Sequence, residues 1–194
     1  DVTHSDYICR AMELGCDVVT EKPMTTDEVR CAGILRTVAR TGRKLQVTFN
    51  YRYSPPRSQV KEMLDRGDIG EITSVDFAWL LDTRHGADYF RRWHRKLGNS
   101  GSLLVHKATH HFDLVNWWLS DVPDEVFCHA SRRYYTPEHA DRLGLAGRGH
   151  RCSSCSVKDK CRFALDLAAS KDLKELYLDN EKYDGYFRDR CVFA

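Results

Sequence analysis

The chain has 194 residues, of which 42% are hydrophobic and 30% are charged, and its formal net charge is +2 at pH 7. This balance is typical of a globular protein with one large domain or two small ones. The small net charge gives no argument for binding nucleic acid or an anionic membrane. No apolar run reaches the roughly 20 residues that span a bilayer, and no signal peptide opens the chain. We therefore expect a cytoplasmic protein with neither nucleic acid nor a membrane as its partner.

Helical and strand patterns alternate at the start of the chain. The predicted elements are a helix over 4–15, a strand over 17–20, a helix that ends at Gly42 and a strand over 44–49. Gly15 ends the first helix, and Thr25 or Thr26 can cap the second. This alternation predicts an α/β protein and is typical of the second half of a doubly wound, Rossmann-like parallel sheet.

Glu21, Lys22 and Pro23 follow the first predicted strand directly. A proline ends a strand, and a lysine at the carboxyl end of a parallel strand lies where open α/β sheets bind their ligands. The same three residues could also form a solvated turn that carries two ordinary charges. The sequence around them favours the functional interpretation.

The order Asp1-Val2-Thr3-His4, helix, strand, Glu21-Lys22-Pro23 resembles the Gfo/Idh/MocA family of NAD(P)-dependent sugar and polyol oxidoreductases. The resemblance extends from residue 1 to about residue 119, and more loosely beyond. It implies NAD or NADP as the cofactor and places Lys22 near the nicotinamide and the substrate hydroxyl. It also implies that Glu21, Pro23 and Asn50 contribute to cofactor binding.

A glycine-rich phosphate-binding turn is not found in the sequence, since no Gly-x-Gly-x-x-Gly follows a predicted strand. In dinucleotide-binding folds that turn holds the pyrophosphate at a helix N-terminus. With the resemblance, this predicts a fragment of a longer protein that lacks the glycine-rich N-terminal half and the C-terminal end. We expect the fragment alone to bind the cofactor poorly and to be inactive.

The resemblance divides the chain into the end of a dinucleotide-binding domain at 1–49 and part of an α+β substrate domain at 50–194. Asn50 and Arg52 lie at the crossing between the two. There they could contact the cofactor and the substrate, or they could form a polar connection between domains. The choice stays open at this point.

A helix over 56–66 and an alternating strand over 71–81 follow, which is how the substrate domain of the resembled family commonly opens. We expect this strand to begin a largely antiparallel sheet, and we predict a further strand over 125–133. Between them, residues 91–96 form a dense basic and aromatic cluster. The small net charge argues against a nucleic-acid surface there, whereas a sugar site and a solvated loop remain open.

One mostly buried helix is predicted over 101–119. It carries Lys107 and, on one side, His106, His110 and Asp113. The resembled family usually has Asp-x-Gly-x-His-x-x-Asp here, and His110 and Asp113 match its last two polar positions. His106 replaces the first acidic residue and an alanine replaces the glycine. These departures suggest an altered substrate or altered proton handling.

Oxidation of a secondary alcohol needs a base that takes the hydroxyl proton while hydride leaves for the nicotinamide. Histidine titrates near neutrality and suits that step, and a lysine beside the reacting oxygen stabilises its developing negative charge. The predicted catalytic residues are His110 as the base and Lys22 as its electrostatic partner. Four side chains are predicted to bind the substrate: His106, Lys107, Asp113 and Arg52. Alternatively, the histidines are buried residues that only stabilise a helix.

The chain contains eight cysteines. Four lie in apolar patterns and are predicted to be small buried side chains: Cys9, Cys16, Cys31 and Cys128. Four others lie in a polar insertion at 150–191, with spacing that predicts an all-thiolate structural zinc site: Cys152, Cys155, Cys161 and Cys191. An iron–sulfur cluster, disulfides and free thiols are the alternatives.

The remaining patterns predict a helix over 165–178 and a turn at 183–186. Taken together, the motifs and the resemblance predict an oxidoreductase that transfers hydride between NAD(P) and a secondary hydroxyl of a sugar or cyclitol. We expect it to be a homo-oligomer. Two alternatives remain: an NAD-dependent glycosidase that oxidises its substrate transiently, and a non-enzymatic, zinc-bearing interaction module.

Overall fold

The computed structural model describes residues 1–179 and 187–194, so the turn predicted at 183–186 lies outside the described residues. The chain divides into two units, each built from two segments. The first unit comprises residues 1–79 and 96–127, and the second comprises residues 80–95 and 128–194.

Helices predominate among the described elements. In chain order the α-helices are α1 His4–Glu13, α2 Glu28–Thr41, α3 Pro55–Asp65, α4 Thr83–Ala87, α5 Leu97–Ser100, α6 Ser102–His106, α7 Thr109–Leu119, α8 Pro137–Arg142 and α9 Lys171–Leu173. The strands are β1 Val18–Glu21 and β2 Leu45–Thr48. Shorter 3-10 helices lie at Asn50–Tyr53, Asp88–Phe90, Trp93–Arg95, Cys152–Ser154 and Lys158–Lys160, and a π-helix lies at Lys174–Asp179.

In the first unit, β1 and β2 pair in parallel, in a register that begins with Val18 opposite Leu45. α1 and α2 pack against each other around Ile8, Met12 and Ile34, all of which are almost fully buried. These apolar side chains recur at helical spacing, so burying them stabilises both helices. The predicted helix–strand–helix–strand order is confirmed.

The start of α2 differs from the prediction, because its cap is neither Thr25 nor Thr26. Asp27 is the N-cap, and its carboxylate accepts a hydrogen bond from the Arg30 amide at 2.9 Å. A carboxylate both satisfies an unpaired amide and favours the positive end of the helix dipole. The end of α2 is as predicted, with Gly42 in the left-handed region at φ +66°.

The antiparallel sheet predicted for the substrate domain is not confirmed. Among the described residues, neither 71–81 nor 125–133 forms a strand, and β1 with β2 is the one paired sheet. Much of both segments is exposed, with Leu80 at 97% and Phe127 at 93%. An alternating pattern fixes which side chains share a face, but a strand exists only when a neighbour supplies its hydrogen bonds.

The second unit packs around aromatic and aliphatic side chains that include Tyr135, Phe163 and Phe193. Arg91 is 2% exposed and donates hydrogen bonds to the carbonyl oxygens of Phe163 and Arg190. One member of the predicted basic cluster is therefore a buried structural residue. Its guanidinium offers several donors, which satisfy carbonyls of segments that have little regular structure.

Two further expectations fail in detail. The helix predicted over 165–178 begins only at Lys171, and it continues as the π-helix after α9. Cys16 and Cys128 are exposed rather than buried, because both lie outside the helices and strands, where an apolar pattern along the chain does not define a packed face.

Among the described residues, no helix is both long enough and apolar enough to cross a bilayer.

A close approach at Gly101 fixes how α6 meets the loop that follows β1. Gly101 has φ +69°, and a Cβ there would lie 2.5 Å from the carbonyl oxygen of Thr26. Both the backbone conformation and the lack of space therefore require glycine. This contact holds the segment that carries His106 beside the segment that carries Lys22.

We expect Gly101→Ala to lower the free energy of unfolding by about 2–3 kcal/mol, because it combines left-handed strain with a clash against backbone. Urea unfolding followed by circular dichroism measures this difference. Gly98→Ala is the matched control, since Gly98 lies in α5 and nothing lies within 4 Å of the position that its Cβ would occupy. Equal stability of the two variants would contradict the prediction.

Candidate active site

Lys22 lies directly after β1, and its side chain reaches the segment between α6 and α7. The Lys22 Nζ donates a hydrogen bond to the carbonyl oxygen of His106 at 2.8 Å. The neighbouring Pro23 carbonyl accepts a hydrogen bond from Nδ1 of His4, also at 2.8 Å. The loop that presents the lysine is thus tied to α1 on one side and to α6 on the other.

The helix predicted over 101–119 is broken, and the break creates the acceptor for Lys22. In a continuous helix the amide of His110 would donate to the carbonyl of His106. It donates instead to the carbonyl of Lys107, at 3.3 Å. The His106 carbonyl is therefore available to Lys22, and the predicted single helix becomes α6 and α7.

His110 is buried and neutral at physiological pH. It is 4% exposed, and its ring stacks on Tyr51 with a centroid distance of 3.9 Å and an angle of 7° between the planes. Burial, and then the positive charges of Lys22 and Lys107, lower the pKa of His110 to about 4. Its Nδ1 is buried and has no hydrogen-bond partner among the described residues. A neutral imidazole of this kind can accept a proton.

Lys107 and Tyr51 form a second polar contact next to His110. The Lys107 Nζ donates to the Tyr51 hydroxyl at 2.8 Å, and the Arg57 guanidinium lies 4.3 Å from the centre of the Tyr51 ring. Sequence reasoning missed Tyr51 and Arg57. One signal in the sequence could have pointed to Tyr51, because it is an aromatic residue that directly follows Asn50 in a loop at the end of a strand.

His106 also has a partner that the sequence did not indicate. Its Nδ1 lies 2.6 Å from Oδ2 of Asp1. Burial, and then the charge of Lys22, lower the pKa of His106 to about 4. Desolvation of the ring and repulsion by positive charge act in the same direction, so His106 is neutral at pH 7 despite its contact with Asp1.

Asp113 and Arg52, both predicted to bind substrate, bind each other. The Arg52 Nε donates to Oδ2 of Asp113 at 2.8 Å, and the Arg52 Nη2 donates to Oδ1. Asp113 is 8% exposed, so this fork neutralises a nearly buried carboxylate. Both carboxylate oxygens accept hydrogen bonds from Arg52, and within the described part of the chain neither bonds to His110.

The remaining predicted cofactor contacts lie near the end of each strand. The Glu21 carboxylate accepts a hydrogen bond from the backbone amide of Lys22 at 3.2 Å. Asn50 begins the 3-10 helix after β2 and is exposed. Residues at the carboxyl ends of these parallel strands are suitably placed for a nicotinamide cofactor, and those present are polar enough to bind one.

The four cysteines of the predicted zinc site line one cavity of about 20 Å³ in the second unit. Among the described residues, however, no three His, Cys, Asp or Glu side chains are arranged to hold a metal ion. Sγ of Cys155 accepts a hydrogen bond from the Gly149 amide, and burial raises the pKa of the Cys191 thiol. Because such an arrangement is absent from the described residues, the zinc prediction is not supported, and all eight cysteines are free.

We expect the free energy of unfolding to fall as the pH drops from 6.5 towards 4. Above pH 6.5, His110 is neutral in both the folded and the unfolded chain. Between its ordinary pKa of 6.5 and the folded value of about 4, the unfolded chain binds a proton that the folded chain does not. This difference favours unfolding by about 1–3 kcal/mol.

Urea unfolding at pH 4.5 and pH 7.5 measures this effect. Carboxylates also titrate over this range, so the test is the difference between the native chain and His110→Gln. The variant should lose less stability on acidification. An identical loss in both proteins would contradict the folded-state pKa of His110.

Comparison with known families accounts for both parts of the chain. Residues 1–49 match the NAD-binding Rossmann fold of the Gfo/Idh/MocA oxidoreductase family. Residues 61–171 match the C-terminal alpha/beta domain of the same oxidoreductase family.

Individual proteins agree with this assignment. The chain is 42% identical over its whole length to "Putative oxidoreductase YteT" of Bacillus subtilis (strain 168), covering 47% of that protein. It is 32% identical to inositol 2-dehydrogenase of Rhizobium meliloti (strain 1021), over 64% of this chain and 36% of that enzyme. The chain thus spans less than half the length of these relatives.

A solved structure supports the fold alone. An oxidoreductase from Desulfitobacterium hafniense DCB-2, described as NADPH-dependent, superposes with a TM-score of 0.52 at 20% identity, over 60% of this chain and 34% of that one. Because both family matches fall in the expected order and together cover most of the sequence, this chain belongs to the Gfo/Idh/MocA oxidoreductase family.

Proposed function

We propose that the protein transfers hydride between NAD(P) and a secondary hydroxyl of a sugar or cyclitol. The observation that supports this most is the placement of the Lys22 ammonium at the break between α6 and α7, on the carbonyl four residues before the neutral His110. An alcohol dehydrogenase needs this combination of a fixed positive charge and an unprotonated base.

The two residues have different roles in this proposal. The Lys22 Nζ orients the reacting hydroxyl and stabilises the alkoxide character that develops as its proton leaves. An imidazole nitrogen of His110 takes that proton, and the low pKa of His110 means that the ring is unprotonated at neutral pH. The nicotinamide, when bound, accepts the hydride.

The other predicted residues support this pair. Glu21, Pro23 and Asn50 would contribute to cofactor binding, and His106 and Lys107 to substrate binding. We place the end of the dinucleotide-binding domain at residues 1–49 and the substrate domain at 50–194, with the cysteine-rich insertion at 150–191.

Turnover of a cyclitol and sugar panel by the full-length protein tests the proposal. The panel should include myo-inositol, since relatives are named inositol 2-dehydrogenases. We expect reduction of NAD+ or NADP+ with at least one compound, measured by absorbance of the reduced nicotinamide. Glycoside cleavage without net cofactor reduction would identify the transient-oxidation alternative. Failure to reduce either cofactor with any compound would contradict the dehydrogenase proposal.

A further inference from the structure

Two lysines of the candidate site form no ion pair with a carboxylate among the described residues. The Lys22 Nζ donates to a backbone carbonyl, and the Lys107 Nζ donates to a tyrosine hydroxyl. In the part of the chain that the structure describes, no ion pair joins either ammonium to a carboxylate, although ion pairs occur elsewhere in the first unit. Both lysines are half-buried.

Their charges interact with each other and with the groups around them. Lys107 contributes to lowering the pKa of Lys22, after burial. Both lysines, together with Arg57, also contribute to lowering the pKa of His110. Half-buried charges of like sign repel each other and are usually paired with an opposite charge.

One nearby carboxylate offsets part of the Lys22 charge, and the others are used elsewhere. Asp113 is neutralised by Arg52, and Asp1 contacts His106. The exposed Glu21 accepts a hydrogen bond from the backbone amide of Lys22, and its charge raises the pKa of Lys22 by less than burial and Lys107 lower it. The position that could have supplied another acid holds His106, which is neutral at pH 7.

We propose that the substrate itself supplies the missing negative charge, as a sugar that carries a carboxylate, such as a hexuronate, bound by the Lys107 ammonium beside Lys22. This inference rests on the proposed function and narrows its substrate class. Lys22 remains with the reacting hydroxyl, and Lys107 leaves the Tyr51 hydroxyl to bind the carboxylate. A charge-assisted hydrogen bond of this kind is stronger than a bond to a neutral hydroxyl.

Matched pairs of sugars test the inference in the full-length protein saturated with cofactor. Galacturonate is compared with galactose, and glucuronate with glucose, through kcat/KM and through binding measured by calorimetry. We expect the acid of each pair to be preferred by at least about 10-fold. Lys107→Met should abolish this preference, because a ratio of about 10-fold lies within the range of one charge-assisted hydrogen bond, and Lys107→Arg should retain most of it.

Lys44→Met is the matched control, because Lys44 is an exposed residue of the first unit; it should leave the preference unchanged. Equal use of acid and neutral sugar, or an equal loss for both in Lys107→Met, would overturn the inference while leaving the dehydrogenase proposal intact. Lys107-dependent binding of the hexuronate without turnover of any sugar would support the inference and overturn the proposed reaction. Absence of hexuronate binding would overturn the inference.

Discussion

His110→Ala should lower kcat of the full-length protein by about 10³-fold, within the range expected for loss of a general base. The ring is buried and neutral, so it can take a proton that water would otherwise have to accept from the substrate hydroxyl. Its stacking on Tyr51 fixes the plane of the ring before the substrate binds.

The pH profile distinguishes a base from a merely structural histidine. In the native protein, kcat/KM should be constant near neutrality and should fall only as the pH approaches about 4, the pKa of His110. That acidic limb should disappear in His110→Ala. His129→Ala is a suitable control, because this exposed histidine is not among the groups that lower the pKa of His110. Full activity in His110→Ala would remove the base from the mechanism.

Lys22→Met should lower kcat by about 10²- to 10³-fold, because it removes the charge that stabilises the developing alkoxide. The substitution keeps most of the apolar stem, so the break between α6 and α7 should lose one hydrogen bond and little packing. Stopped-flow or steady-state measurement of cofactor reduction follows the effect.

The same substitution should also move the acidic limb of the pH profile. The charge of Lys22 helps to lower the pKa of His110, so its removal should raise that pKa towards the ordinary histidine value. The limb should therefore shift to higher pH in Lys22→Met and stay in place in Lys44→Met. An unchanged rate together with an unmoved limb would exclude Lys22 from the site.

Sequence reasoning succeeded where the signal is local. The spacing of Ile8, Met12 and Ile34 and the glycine at position 42 lie within a few residues of the structure that they specify, and α1, β1, α2 and β2 follow in the predicted order. The position of Lys22 after β1 depends on the same local pattern.

It failed where the outcome depends on a distant group. The break between α6 and α7 leaves the His106 carbonyl to Lys22, which lies 84 residues away in sequence. The segments 71–81 and 125–133 had the right alternation for strands, but among the described residues they have no hydrogen-bonded neighbour. The cysteine spacing likewise matched a metal site whose geometry the described thiols do not form.

Local patterns along the chain were sufficient to predict the order of the first helices and strands, because caps, turns and apolar periodicity act over a few residues. The motif resemblance predicted the family, and the roles of Lys22 and His110 stay predictions. Which charges meet became known only from the folded chain. Asp113 pairs with Arg52 across 61 residues and Asp1 with His106 across 105, and among the described residues neither lysine forms an ion pair with a carboxylate. Such pairings depend on how separate segments pack, and hydrophobic spacing along one segment carries no information about them.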